Sequence, residues 1–120
     1  MLALYEELRK RILNLDPSIR IQYKKLYIAF KTSTNFVDVE PRKNRFVLYL
    51  NMRFDEIHDP KSLCRDVSNI GHWGNGDIEI GLSTMEQLDD VMYLVKQSYE
   101  RHDDNEATTS QPGLWTTAEA

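Results

Sequence analysis

The 120-residue sequence contains one cysteine, Cys64, and three widely separated histidines, His58, His72 and His102. A single cysteine excludes a disulfide within the chain and is typical of a reducing cytoplasm. Cysteine and histidine do not recur at the short spacings of zinc sites, so we expect neither a metal nor a cofactor. No run of about 18 apolar residues is present to span a membrane, and the N-terminus lacks the apolar core of a secretion signal. We therefore expect a cytoplasmic protein.

Charge is distributed unevenly along a chain whose length suits one domain. The net charge is −4. The stretch from Arg9 to Arg53 holds eleven Lys and Arg against three acidic residues, whereas residues 54–120 hold four Lys and Arg against fourteen acidic residues. Two interpretations are open. The two halves pair with each other or form solvated faces, or the basic half presents a face to an anionic partner such as nucleic acid.

Periodicity in the first half predicts a helix followed by three strands. Apolar residues at helical spacing predict a helix over residues 2–15, which Asp16-Pro17 ends. Residues 18–24 are either a short helical turn or an extended lead-in. An antiparallel meander is predicted for residues 25–31, 35–40 and 45–52, because these stretches are aromatic or alternate in polarity and short turns join them. The alternation places Phe36 with Asp38 and Glu40 on one face of the middle strand.

The second half predicts a helix, a strand and a long helix. Asp59-Pro60 is typical of a helix start, and Leu63, Cys64 and Val67 supply its apolar side. Residues 77–82 alternate as a fourth strand. Ser83 and Glu86 form a capping box that opens a long helix reaching about Arg101. We expect an α+β domain over residues 1–102, with the order α-β-β-β-α-β-α and an antiparallel sheet of about four strands. Residues 103–120, which include Leu114-Trp115, are predicted to be a flexible acidic tail.

A glycine-rich segment that includes Gly71, His72, Trp73, Gly74, Asn75, Gly76 and Asp77 is a candidate site. It holds three of the five glycines and one of the two tryptophans, which indicates backbone angles that other residues avoid. His72 is a candidate general base, with Asp66 or Asp77 to orient it, although no serine or cysteine stands out as a nucleophile. The alternative is that His72 only fixes the turn. A phosphate cradle is disfavoured, because this loop enters a strand rather than a helix.

The second candidate site is a basic set in the predicted meander: Lys25, Lys31, Arg42, Lys43 and Arg45. Tyr23, Tyr27 and Tyr49 are interleaved with these cations, and proteins that bind single strands use the same combination of charge and aromatic rings. The alternative is that the tyrosines are core residues and the cations only solubilise the chain. Two carboxylate pairs, Asp38 with Glu40 and Asp77 with Glu79, are either metal ligands on neighbouring strands or solvated strand faces.

Four motifs together resemble a known family. They are Lys25-Leu26-Tyr27-Ile28-Ala29-Phe30-Lys31, Asn35 to Val39, Arg45 to Asn51, and Gly71-His72-Trp73-Gly74-Asn75-Gly76-Asp77-Ile78-Glu79-Ile80. The chain from Leu4 to Arg101 is similar to an uncharacterised bacterial and archaeal domain family of unknown function that is sometimes labelled "predicted transport protein". The resemblance implies a compact α+β module, often at the C-terminus of a longer chain and sometimes beside nuclease-like domains. It implies no catalytic residues.

The leading hypothesis is a non-enzymatic accessory module that binds nucleic acid, or that docks a nucleic-acid-processing partner or fused domain. The first alternative is a protein-interaction or homodimerisation module that uses a sheet face or the tail. The second alternative is a small-ligand pocket or an unrecognised hydrolase at the 71–77 loop.

Overall fold

The computed structural model describes residues 1–70 and 76–109, with side chains described as far as His102. The described residues form two helices and a six-stranded antiparallel sheet in the order β1-β2-β3-β4-β6-β5. In chain order the elements are α1 (Leu2–Leu13), β1 (Arg20–Tyr23), β2 (Ile28–Lys31), β3 (Asn35–Pro41), β4 (Phe46–Leu50), β5 (Arg65–Asp66), β6 (Ile78–Leu82) and α2 (Leu88–Thr109). The α+β class and the antiparallel meander are therefore confirmed. The expectation of four strands is wrong in number.

Both helices contribute to a core on one face of the sheet. Leu8 and Ile12 of α1 and Leu94 of α2 are buried in the same cluster as alternate residues of β4. The predicted alternation of that strand is confirmed, since Phe46, Leu48, Leu50 and the following Met52 all belong to this cluster. Each fully buried side chain of this size contributes ~1.5–3 kcal/mol from removal of apolar surface from water. This burial sets which side of the sheet the helices cover.

Two short strands, β1 and β5, were not assigned as strands from the sequence. Both lie at edges of the sheet. β1 continues the meander and, among the described strands, pairs with β2 alone, through Arg20↔Lys31 to Tyr23↔Ile28. Three of its four residues are exposed, so no apolar alternation marks it in the sequence. β5 is two residues long and pairs with β6. The extended alternative for residues 18–24 is the correct one.

The helix predicted after Asp59-Pro60 is wrong. Asp59 does accept hydrogen bonds from the backbone amides of Leu63 (2.9 Å) and Cys64 (2.8 Å), but it caps a turn. Ser62 adopts a positive φ of 55°, which breaks a right-handed helix. The chain then extends into β5, and Val67 packs on the sheet rather than on a helix.

Phe36 also departs from its predicted side of β3. The register passes from Phe30↔Val37 to Lys31↔Asn35, so Phe36 is the extra residue of a β-bulge. Its side chain lies in the core, where its ring meets Tyr99 edge-on with centroids 5.5 Å apart. The bulge explains why consecutive residues, Phe36 and Val37, are both buried in the helix-covered core.

The two helix boundaries differ slightly from the predicted ones. The capping box forms one residue later than expected and caps a single 3-10 turn, Met85–Gln87, that leads into α2: the Gln87 side chain accepts from the amides of Ser83 and Thr84, at 2.7 and 3.1 Å. α1 ends at Leu13 and α2 continues to Thr109, beyond Arg101. Within the described part of the chain, neither helix combines the length and apolarity that crossing a bilayer requires.

Candidate nucleic-acid interface

Strand registers bring two turns to one end of the sheet. The β1–β2 turn is closed by a hydrogen bond of 2.9 Å from the amide of Lys24 to the carbonyl of Tyr27. The β3–β4 turn is closed in the same way from Arg42 to Arg45, at 2.8 Å. Because Ile28 pairs with Val39 and β2 lies beside β3, the two turns are neighbours. We call this end, formed by residues 23–27 and 41–45, the tip end.

Four of the five predicted cations lie at the tip end. Lys25, Arg42, Lys43 and Arg45 are all exposed. Lys24, which sequence reasoning did not include, is also exposed in the first turn. Lys31 is separate, because it pairs with Arg20 and Asn35 at the opposite end of the sheet. The four cations could be grouped from the sequence because they lie in or beside the turns of one predicted meander. Lys31 lies at the other end of β2, four residues of extended chain away.

The acidic half of the chain does not neutralise the tip end within the described residues. Lys24, Lys25, Lys43 and Arg45 form no ion pair there. Acidic residues of the second half pair elsewhere, as in Arg11–Asp89 at 2.8 Å and Lys61–Asp90 at 3.0 Å. Among the described residues the tip end therefore carries an uncompensated positive charge.

Arg42 is the exception, because it belongs to a network on the other face of the sheet. We call this the polar face; it carries Asp38, Glu40, Tyr49 and Glu79. The Arg42 guanidinium donates to Glu40 Oε1 at 2.8 Å, and the Tyr49 hydroxyl donates to the same oxygen at 3.3 Å. Burial raises the pKa of Tyr49, and the charges of Glu40 and Glu79 raise it further. The pKa of Arg42 is raised as well, chiefly by its hydrogen bond to Glu40. Glu40 thus holds the Arg42 guanidinium in place.

Arg45 lies beside a glycine that leaves room for it. A Cβ atom at Gly81 of β6 would stand 3.2 Å from Arg45 Nη1. Gly81 pairs with Val47 across the sheet and is exposed. The absent side chain on β6 gives the Arg45 guanidinium space along the polar face.

The three interleaved tyrosines have different environments. Tyr23 ends β1 with 65% of its surface exposed. Tyr27 is half-buried, and Tyr49 is buried at 2% exposure. Tyr23 therefore offers the most exposed aromatic face of the three, and Tyr49 is a core residue, as the alternative interpretation expects.

The carboxylate pairs do not form the predicted arrangement on neighbouring strands. β4 lies between β3 and β6, so Asp38 and Glu79 each pair with Tyr49 from opposite sides. Their strands are therefore roughly 10 Å apart, two strand spacings. Asp38 is fully buried and accepts a hydrogen bond of 3.1 Å from the Asn35 side chain. Glu79 faces Arg65 at 3.6 Å. Within the described residues, no group of three His, Cys, Asp or Glu side chains is placed to hold a metal ion.

The described residues of the glycine loop, Gly76 and Asp77, lie away from the tip end. Gly71, His72, Trp73, Gly74 and Asn75 lie outside the described residues, as does Leu114-Trp115. Gly76 has a φ of +111°, and a Cβ there would overlap the Leu50 carbonyl, which explains the glycine. Gly76 and Asp77 precede Ile78, which pairs with Leu50 at the end opposite the tips.

A cleft of about 430 Å³ opens beside Asp77. Its described lining consists of Arg53, Phe54, Asp55, Asp66, Ser68 and Asp77. Arg53 is paired with Asp55 through two hydrogen bonds, of 2.8 and 3.1 Å. The cleft therefore presents mainly carboxylates. The sequence offers the loop and the basic set as two candidate sites, and the described end of the loop, Gly76 and Asp77, lies at the end of the sheet opposite the tips.

Comparison with known proteins gives a family without an assigned activity. Residues 1–102 match the family model described as "Domain of unknown function (DUF5655)". A curated protein of Haemophilus influenzae, named "Uncharacterized protein", is 45% identical over 95 residues. Those residues are 79% of this chain and 32% of that protein, so the chain spans about a third of the length of the curated relative it matches. No solved structure matches the chain.

Proposed function

The chain belongs to the DUF5655 family, and we propose that it is a non-enzymatic accessory module whose tip end binds the phosphate backbone of nucleic acid. The single observation that carries the proposal is the convergence of Lys25, Arg42, Lys43 and Arg45 at two adjacent turns. Lys25, Lys43 and Arg45 have no carboxylate partner among the described residues, and such exposed cations gain most from replacing the counterions of a polyanion. Arg42 shares its charge with Glu40. The relative's greater length supports a role beside a further domain, such as one that processes nucleic acid.

The net charge of −4 repels a nucleic acid at long range. Whether binding is favoured therefore depends on how far each charged side chain lies from the bound strand. At about 0.1 M ionic strength the Debye length is ~10 Å, and charges farther away are largely screened. Acidic residues of α2, such as Asp89 and Asp90, pair with Arg11 and Lys61 rather than with the tip end. The local positive charge therefore dominates for a strand that contacts the tips. Three phosphate contacts, from Lys25, Lys43 and Arg45, predict a slope of log K against log salt of about −2 for a single strand.

The test is fluorescence anisotropy with labelled oligonucleotides over a salt series. The variant Lys25→Ala/Lys43→Ala removes two tip charges, and Lys61→Ala/Lys96→Ala removes two exposed lysines away from the tips. We expect the tip variant to bind more weakly and to reduce the salt slope by about 1.4, which corresponds to two lost contacts on a single strand. The control variant should retain the wild-type slope. Binding that is absent, or equal losses in both variants, would refute the proposal.

A second candidate function is a small-ligand site in the cleft beside Asp77, since its volume of about 430 Å³ lies within the ~300–1,000 Å³ typical of ligand pockets. Its carboxylates favour a cationic ligand, in contrast to the tip end. Thermal-shift measurements with a panel of polyamines would test this function. Stabilisation that Asp66→Asn and Asp77→Asn abolish would support it, and an unchanged melting temperature across the panel would oppose it.

A further inference from the structure

The residue before the first turn of the tip end is an exposed aromatic residue. Tyr23 is the last residue of β1, and 65% of its surface is exposed. Lys24 and Lys25 follow it directly, and both are exposed. Three consecutive residues span at most roughly 10 Å, so one short segment carries an aromatic face and two cations. Such a segment can contact a base and its flanking phosphates together.

The Tyr23 phenol lies near Tyr5 of α1, since the pKa of Tyr5 is raised by burial and then by the nearby Tyr23 phenol. Tyr5 itself packs inward, near Phe46 of β4, with ring centroids 6.0 Å apart. The Tyr5 hydroxyl has no hydrogen-bond partner among the described residues. The exposed Tyr23 ring therefore borders the body of the domain and keeps most of its surface available to a base.

The width of the tip end disfavours a duplex groove. Four neighbouring strands, β1 to β4, end at the tips. Their outer axes are separated by about three strand spacings, or ~14 Å, before side chains are counted. The major groove of B-DNA is ~12 Å wide and admits an α-helix or a two-stranded ribbon. In a duplex, moreover, the base faces are already stacked, and a protein in the groove reads their edges.

We propose that the tip end binds single-stranded nucleic acid, with Tyr23 as a platform on which a base stacks while Lys24 and Lys25 contact the adjoining phosphates. This inference rests on the proposed function and specifies its ligand. Stacking on an aromatic side chain tolerates any base, so the preference is for strand form and not for sequence. Tyr27 and Tyr49 take no part, because they are half-buried and buried.

The experiment compares three ligands: an oligothymidylate, a base-free strand with the same phosphates, and a duplex. Each is about twelve nucleotides long, which is within the site sizes of single-strand binders. Each is titrated by anisotropy into the full chain and into Tyr23→Ala, Tyr23→Phe and Tyr93→Ala. Tyr93 is a matched control, since 47% of its surface is exposed but it lies on α2 beside His58. Circular dichroism verifies that each variant is folded.

We expect the wild type to bind oligothymidylate on the order of tenfold more tightly than the base-free strand, the effect of one stacked base. Tyr23→Ala should lose this difference while its affinity for the base-free strand stays unchanged. Tyr23→Phe and Tyr93→Ala should keep it. Salt-dependent binding that ignores base removal, or that favours the duplex, would overturn this inference alone. Absence of salt-dependent binding to all three ligands would overturn the proposed function and this inference with it.

Discussion

The Arg42 guanidinium lies 2.8 Å from the Glu40 carboxylate, on the polar face of the sheet just below the tip end. Glu40 is nearly buried, with 12% of its side chain exposed, whereas 46% of the Arg42 side chain is exposed. Tyr49 donates to the same carboxylate. Glu40 therefore orients Arg42 and also cancels part of the charge that the tip end offers to an anion. Substitutions at this pair separate these two effects.

Replacing Glu40 with glutamine should strengthen binding of nucleic acid. The amide oxygen can still accept from Arg42 and Tyr49, but the negative charge is gone and the guanidinium gains freedom to contact a phosphate. We expect Glu40→Gln to bind a single strand more tightly at low salt. Its salt slope should steepen by up to about 0.7, the value of one additional contact. Anisotropy over a salt series measures both quantities.

Glu79→Gln is the matched control for that substitution. Glu79 pairs with Arg65 at 3.6 Å, in the cross-strand row of Tyr49 and away from the turns. The substitution Glu79→Gln removes one negative charge from the same face of the sheet as Glu40→Gln. If both glutamine variants strengthen binding equally, the effect is one of net charge, and a specific contact by Arg42 is wrong.

Substitution by alanine should destabilise the fold at Gly76 but not at Gly81. At Gly76 the positive φ costs an alanine ~1–3 kcal/mol of strain, and its Cβ would lie 2.8 Å from the Asn51 Cα besides overlapping the Leu50 carbonyl. We expect Gly76→Ala to lower the melting temperature by at least about 4–8 °C, the effect of 1 kcal/mol in a domain of this size. At Gly81 the Cβ meets only the flexible guanidinium of Arg45, so Gly81→Ala should leave the melting temperature nearly unchanged. Equal melting temperatures for the two variants would contradict the backbone geometry at Gly76.

Cys64 should be unreactive in the folded protein. Burial raises the pKa of its thiol to about 12, and the negative charge of Asp59 contributes. Since the thiolate is the nucleophile, alkylation at pH 8 should be on the order of a thousandfold slower than for a free thiol of pKa ~8.5. Mass spectrometry after iodoacetamide treatment, with and without urea, measures the ratio. Similar rates in the two conditions would show that the thiol is accessible and ionised in the fold.

The hydrogen bond from Tyr99 of α2 to Asp16, which follows α1, should make the stability of the fold depend on pH in the acid range. The pKa of Asp16 is lowered, first by the hydrogen bond that the Tyr99 hydroxyl donates at 2.6 Å and then by Ser18. A lowered carboxyl pKa stabilises the fold above its ordinary value of 3.8, and this stabilisation is lost as the pH falls through the lower, folded value. Tyr99→Phe keeps the ring contact with Phe36 but removes the hydroxyl. The stability difference between wild type and Tyr99→Phe, measured by urea unfolding, should therefore shrink as the pH falls below 3.8. A difference that stays constant with pH would contradict the ionised hydrogen bond.

Sequence periodicity was sufficient to show which residues of β4 face the helices. Phe46, Leu48 and Leu50 are buried against both helices. Val47 and Tyr49 lie on the opposite face, where they are buried with Val67 in a second cluster. β1 has no such signal, because an edge strand with exposed residues can pair through its backbone alone. The Asp59-Pro60 signal was also real, since Asp59 caps backbone amides. The positive φ of Ser62, which ends any helix there, cannot be read from the sequence.

Site prediction was limited in the same way. Lys25, Arg42, Lys43 and Arg45 were grouped because turns of one meander tend to lie at common ends of a sheet. Lys31 was included although it ends the same strand that Lys25 precedes, and four residues of extended chain span ~13 Å. The register also separates Gly76 and Asp77 from the tips, because β6 pairs antiparallel with β4.

The most direct test of the central claim is where a short single strand contacts the folded chain. Backbone amide shifts of the ¹⁵N-labelled protein, followed by NMR during titration at low salt, report the contact residue by residue. We predict that the perturbations concentrate at residues 23–27 and 42–45, extend to Gly81, and diminish as salt is added. Perturbations centred on Asp55, Asp66 and Asp77 at the opposite end, with the two turns unaffected, would contradict the account.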